Sequence, residues 1–471
     1  MTIASPLTGN RLGPRRAFVR FGLSAVGGLS LPGMLRLRAE SPLVDGAAPV
    51  PKAVIMVWQP GGCSHVDTYD PKPEATIDYR GPFQTIATKV PGLRFTELLP
   101  RQAAIADRFT VLRSMSQTAG GHPAGSMQML SGDMDTRDKP KPRLPDWMCV
   151  ANRLLTERGT RSNPLPRSVG INPPLGYNGP AYLGDAWQPF VVTGDPSAPT
   201  FTVPNLGLEN AAEVERLRRR VGLRSRFDSL ASIVGRRLEM DAIDVFEAQA
   251  LQLLTSREAR HAFDLEREDD ATRDRYGRNA WGQQLLMARR LVEAGVEIVT
   301  TELSGPLCGR TGVWDDHAVD HHVFEALKFR AAAYDNAVAA LIEDIHERGL
   351  SDRVLVVVTG EFGRTPKISY GPSTGGGNAS GPAGTIQPGR DHWPQAFSNI
   401  WAGGGIEPGR VIGATDKRGE QVVARRCTAQ DFLATIYHHL GIDAARITIP
   451  DLSGRPTALV DHGRPIRELV S

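Results

Sequence analysis

Three short, mostly apolar runs, each followed by residue types that ligate metals, constrain this chain more than any other feature. Val54-Ile55-Met56-Val57-Trp58 leads into Gly61-Gly62-Cys63-Ser64-His65-Val66-Asp67. Val296-Glu297-Ile298-Val299-Thr300 is followed further on by Trp314-Asp315-Asp316-His317. Val354-Leu355-Val356-Val357-Val358 leads into Gly360-Glu361-Phe362-Gly363-Arg364, with Gly389-Arg390-Asp391-His392-Trp393 beyond it. Continuous apolar strands are buried on both faces, as in a parallel sheet. Ligands of such sheets bind outside the carboxyl ends of the strands. Three strand ends that deliver His, Asp or Glu to one edge therefore predict a shared metal site and metal-assisted hydrolysis.

The intervening sequence fits that architecture. A helix over residues 280–293, stopped by Gly295, precedes a strand at 296–301, and a long helix over 323–348, stopped by Gly349, precedes a strand at 353–358. Helix–strand alternation of this kind predicts βαβ units and an α/β fold with a central, mostly parallel sheet flanked by helices. A short helix is expected over 98–109, strands over 110–115 and 397–401, and a last helix capped by Thr428 with Asp431 at its third position. His122-Pro123 reads as the first turn of a helix that Gly132 ends. That helix start favours anions. Residues 135–205 read as long loops with short strands, and 211–269 as either a helical insertion or an amphipathic stretch on the sheet. The Gly- and Pro-rich residues 371–389 read as a lid or as a plain surface loop.

Composition narrows the class. With 55 basic and 52 acidic residues the net charge is +3, too balanced for a nucleic-acid or anionic-membrane partner. The four cysteines, Cys63, Cys149, Cys308 and Cys427, form no CxxC pair, which argues against a zinc ribbon. Arg15-Arg16-Ala17-Phe18 precedes a weakly apolar, glycine-rich run, as in a twin-arginine export signal. Residues 1–48 are thus expected to be signal and linker, with 49–471 one domain carrying a helical insertion or cap at about 205–270. That places the mature protein in a bacterial periplasm or outside the cell, with no stable membrane span and an oligomeric state left open.

The candidate metal ligands are His65, Asp67, Asp315, His317, Glu361, Asp391 and His392. His65 with Asp67, and Asp315 with His317, share a side if their segments are extended. Asp391 and His392 are adjacent and diverge in regular structure, so one of them supports the other ligands from outside. Arg364 is the candidate clamp for an anionic oxygen.

The segments Gly61 to Thr68, Trp314 to His317, Thr359 to Pro366 and Gly389 to Trp393, with Tyr276-Gly277 and Ala288 to Val296, resemble an exported family. It is domain-of-unknown-function family 1501, placed within the alkaline phosphatase and sulfatase superfamily. The resemblance covers roughly residues 50–465. It implies an alkaline phosphatase-like sheet, two metals at its carboxyl edge, and cleavage of phosphate or sulfate esters. His65 or Asp67 then corresponds to the ligand after the first strand, Asp315 and His317 to a later Asp/His pair, and His392 to the late histidine. Glu361 stands where the superfamily often has Asp-His. No Cys-x-Pro-x-Arg sequence is present, which disfavours a formylglycine sulfatase. The helix start where the resemblance puts the nucleophile offers His122, as ligand, base or nucleophile, with Thr118 and Ser116 upstream and Ser126 inside; a metal-activated water is the alternative. The expected cofactor is one or two divalent ions: zinc, manganese, calcium or magnesium. The expected substrate is a small or polysaccharide-derived anionic ester. The competing expectation is a non-catalytic exported binding or envelope protein on the same fold.

Overall fold

The structure, a computed structural model, describes residues 51–134, 144–159, 163–173, 179–203, 256–305, 307, 312–377 and 379–470. The twin-arginine segment, most of the expected insertion and Cys308 lie outside them.

Runs of β-branched and apolar residues form a central sheet, because such side chains pack well on a pleated surface buried on both faces. Its strands are β1 (Ala53–Trp58), β2 (Phe109–Met115), β3 (Ser168–Ile171), β4 (Phe190–Val192), β5 (Ile298–Glu302), β6 (Val354–Thr359), β7 (Phe397–Gly403) and β8 (Val411–Ile412). They lie in the order β8-β2-β7-β6-β1-β5-β3-β4. β1 pairs in parallel with β5 (Ile55 opposite Val299) and with β6 (Ile55 opposite Val356). β7 alone runs the other way, antiparallel to both β2 and β6. The expected mostly parallel sheet flanked by helices is what the chain forms.

Alternate residues of each strand feed two cores. Ala53, Ile55 and Val57 of β1 pack with α3 (Ala280–Glu293) and α4 (Val323–Glu347). Val54, Met56 and Trp58 face the opposite layer, built from α1 (His122–Ser131), α2 (Trp147–Glu157) and α5 (Ala429–His439). Helix ends follow the local chemistry. Gly132 closes α1 at φ 75°, a conformation that favours glycine. Thr428 and Asp431 form the expected capping box on α5.

Three segments differ from the sequence reading. Within 135–205, read as long loops with short strands, Trp147–Glu157 forms the helix α2 and buries Trp147, Met148 and Val150. Residues 98–109 hold only a five-residue helix, Pro100–Ala104, and a 3-10 turn. The stretch 371–389 is not an open loop: Ser369–Pro372 pairs antiparallel with Ile386–Gly389. Gln387 Nε2 donates to Ala318 O at 2.7 Å, and Thr374 N donates to Val319 O at 3.0 Å. Backbone groups that a glycine-rich composition suggests are free are thus paired.

At the edge opposite the strand carboxyl ends, His439 of α5 is 6% exposed and bonds Ala53 O at 3.0 Å. Burial, aided by Lys52, lowers its pKa from 6.5 to about 4 against the raising pull of the Ala53 carbonyl. A folded-state value below the unfolded one means stability is present above pH 6.5 and is lost as pH falls toward 4. The expected loss is ~3 kcal/mol. Urea midpoints measured from pH 7 to 4 are expected to fall across that window in the native chain, and less steeply in His439→Gln.

Candidate metal centre

Four strand ends and one strand start meet at the carboxyl edge. β2 leads to His122, the first residue of α1. β5 leads through its loop to Asp315 and His317, and β6 ends two residues before Glu361. Because β7 is antiparallel, its amino end lies on this same edge, and His392 sits five residues before it. His392 and Trp393 are fixed there by pairing with Arg364 and Gly363. The β1 loop supplies close approach rather than ligands. A Cβ on Gly61 (φ 97°) lies 2.5 Å from Asp315 N, and one on Gly62 (φ 79°) lies 2.2 Å from Phe362 O. Only glycine lets these three loops nest.

Three histidines share one arrangement. His122 Nδ1 donates to Glu361 Oε1 at 2.7 Å, His317 Nδ1 to Asp391 Oδ1 at 2.7 Å, and His392 Nδ1 to Gly120 O at 2.6 Å. Each acceptor fixes the proton on Nδ1 and turns Nε2 inward. The three Nε2 atoms meet the Asp315 carboxylate: His122 at 3.3 Å from Oδ2, His317 at 3.1 Å and His392 at 3.2 Å from Oδ1. His317 Nε2 is 3.0 Å from His392 Nε2. Two imidazole nitrogens at that distance need a proton or a cation between them. Phe362 lies beneath, its ring 4.5 Å from that of His392 and 5.2 Å from that of His122.

The electrostatics favour positive charge at this point. Burial lowers the His122 pKa, but Asp315 and Glu361 outweigh it and push the value up to about 9. Asp315 is driven well below the carboxylate range although burial opposes it, because His122, His317, His392 and Arg364 surround it. The Asp315 hydrogen bond leads in raising His317.

The donor set fits a divalent ion. Atoms about 2.1 Å from one ion, at tetrahedral to octahedral angles, lie about 3.0–3.4 Å apart, which is the spacing found around Asp315. The ligand atoms of His122, Asp315 and His392 all lie within 4.8 Å of one another. Carboxylates and carbonyls behind the imidazoles are the usual outer support of metal-binding histidines. Glu361 is 2% exposed; its Oε1 takes the Gly61 N–H and His122, while Oε2 has no partner.

Other expected site residues stand elsewhere. Asp67 is fully buried against Arg390, with Nε 2.6 Å from Oδ2 and Nη2 3.1 Å from Oδ1, and Ser64 also donates to Oδ2. Both oxygens are engaged, so Asp67 is half of a buried ion pair rather than a ligand in the cluster. His65 is buried under the turn at Gly419, whose carbonyl is 2.8 Å from its Nε2, and burial lowers its pKa. Arg364 is 1% exposed; its guanidinium donates to Gly61 O, Gly62 O and Arg390 O and pairs with Asp315 at 2.5 Å. It holds the loops together and does not present a clamp to solvent. Thr118 is exposed and exchanges hydrogen bonds with Gln128. Glu361 and Asp391 stand behind histidines rather than beside the shared point. Sequence reasoning missed Phe362 and the Arg390 partner of Asp67; the latter lies 323 residues away, so no local spacing signals it.

The family model described as "Protein of unknown function (DUF1501)" matches residues 51–470. No curated protein matches the chain in sequence. Among solved structures the chain is similar to phosphonate monoester hydrolase SpPMH from Silicibacter pomeroyi, at 12% identity and TM-score 0.37, covering 89% of this chain and 76% of that one. It is also similar to the lipoteichoic acid synthase LtaP from Listeria monocytogenes, at 11% identity and TM-score 0.36, covering 83% and 72%. A third is the PsFucS1 sulfatase from Pseudoalteromonas sp., at 11% identity and TM-score 0.32, covering 91% and 72%.

Removing one charge of a buried pair leaves the other uncompensated, which costs about 3–5 kcal/mol. Asp67→Asn is therefore expected to lower the denaturation midpoint strongly while the folded fraction keeps its metal stoichiometry. Loss of metal without loss of stability would make Asp67 a ligand instead.

Proposed function

The chain belongs to the DUF1501 family, and on the geometry of its metal centre we propose that it is an exported, metal-dependent hydrolase of phosphate or sulfate esters. One observation carries this reading. Three imidazoles, each with Nδ1 held by an acceptor, turn Nε2 toward one carboxylate at the carboxyl edge of the sheet, beside the start of α1. Arrangements of that kind hold divalent ions in hydrolases, and helix starts favour the oxygens of a tetrahedral anion.

In this reading His122, His317, His392 and Asp315 hold the ion. When bound, a divalent ion supplies Lewis acidity and lowers the pKa of water. Glu361 and Asp391 fix the ring orientations of His122 and His317. Arg364 holds the Asp315 carboxylate in place and joins its loop to the β1 loop. Among the described residues, the hydrogen bonds of His122, Asp315, His317 and His392 reach no hydroxyl or thiol. That supports water, rather than Thr118, as the attacking group. The Arg15-Arg16 segment supports twin-arginine export, and no helix among the described residues is long and apolar enough to cross a membrane.

The engagement of Arg364 by the protein itself favours a second reading, a non-catalytic metal-binding protein on the same fold. Metal analysis and an ester screen separate the two. The mature chain is expected to retain one or two divalent ions after dialysis, with His392→Ala and Asp315→Asn reducing retention by tenfold or more. Glu361→Gln is expected to weaken affinity about 10–100-fold. Turnover of an aryl phosphate or aryl sulfate that disappears with the metal supports the hydrolase. Metal retention without turnover supports the second reading. No retained ion, and no thermal shift with zinc, manganese, calcium or magnesium, defeats both.

A further inference from the structure

A cavity of 420 Å³ opens where β3 and β5 end. Two carboxyl groups line it: Asp146, which precedes α2, and Glu302, the last residue of β5. Asp146 is 2% exposed; its Oδ2 accepts the Gly179 N–H at 3.0 Å, and its Oδ1 has no partner. The two side-chain amides around them are already engaged. Asn172 exchanges side-chain hydrogen bonds with Gly194 at 2.7 and 2.9 Å, and Gln188 donates to Asp185. Met148, Pro173, Pro189 and Val191 make much of the remaining wall apolar, and among the described residues no Arg, Lys or His lines it.

We propose that this cavity binds a small organic ammonium ion, a primary amine on an apolar body, held between Asp146 and Glu302. A buried carboxyl group with an unpaired oxygen lacks donors and positive charge. An ammonium supplies three donors and one charge. An anion is excluded by the same two groups. A hydrated divalent ion is poorly matched, since such ions seek about six to eight oxygens, more than two carboxyl groups, the hydroxyls of Thr193 and Ser304 and engaged amides offer. A sugar finds no aromatic platform among the described lining residues. The volume is that of a small-molecule site, about 300–1,000 Å³.

The chemistry of the two acids agrees. Burial pushes both Asp146 and Glu302 up to about 7, against the opposing Gly179 N–H and Ser304 respectively. Asp146 acts electrostatically on Cys149 and Tyr437, and the Glu361 charge reaches Glu302; among the described residues no cation compensates either acid. The proposal does not depend on the hydrolase reading, because it concerns binding alone.

The test is calorimetric titration of the full mature chain with butylammonium, 1-butanol and butyrate, with and without chelator. Saturable butylammonium binding is expected, at least tenfold tighter than 1-butanol, with no butyrate binding. Glu302→Gln and Asp146→Asn are each expected to weaken it tenfold or more. Val191→Trp, at a position 44% exposed that tolerates a large side chain, is expected to block the cavity and do the same without unfolding the chain. Equal binding of alcohol and ammonium, binding that survives both Glu302→Gln and Val191→Trp, or binding abolished by chelator alone would overturn the proposal.

Discussion

The site depends on one buried guanidinium. Arg364 is almost wholly removed from water, and its donors are divided among the carbonyls of Gly61, Gly62 and Arg390 and the carboxylate of Asp315. Burying such a charge is costly unless it is paired and hydrogen-bonded, so the loops must close around it in one arrangement. That arrangement sets the Asp315 carboxylate, and the three histidines take their places around it. Two further buried arginines act alike at neighbouring points: Arg390 on Asp67, and Arg330 on Asp316 with Trp314 stacked 5.0 Å away. Irregular loops lack the hydrogen bonds that strands and helices supply from their own backbone. Here guanidinium groups with several donors each do that work.

Topology explains how distant segments reach one point. Seven strands run in one direction, so the ends of β2, β5 and β6 lie on one edge by construction. A parallel strand in place of β7 would carry His392 to the opposite edge. The reversal of that strand brings the segment before it to the site, and the two-residue pairing with Gly363 and Arg364 fixes its height.

Much of this was legible in the sequence. Strands β1 and β6, helices α3 and α4, the caps at Gly132 and Thr428, and the edge on which ligands gather all follow from local pattern. The two spacing arguments fared differently for a physical reason. Residues 312–317 have no turn or helix, so Asp315 and His317 two apart share a side and meet. His65 through Asp70 instead form a compact turn, with Asp70 N bonded to His65 O at 2.8 Å. An i, i+2 rule for extended chain does not apply there, and His65 and Asp67 diverge to separate partners.

The sequence by itself determined the elements and the edge, because the periods of burial in strands and helices are properties of neighbouring residues. It also supplied the chemical inventory of His, Asp and Glu. Which of those side chains converge was decided only in three dimensions. Asp67 meets Arg390, His122 meets Glu361, and Arg364 meets Asp315 across separations of 323, 239 and 49 residues. Whether a carboxylate faces an arginine or an open point among imidazoles depends on which loops the buried charges draw together, and no local period encodes that choice.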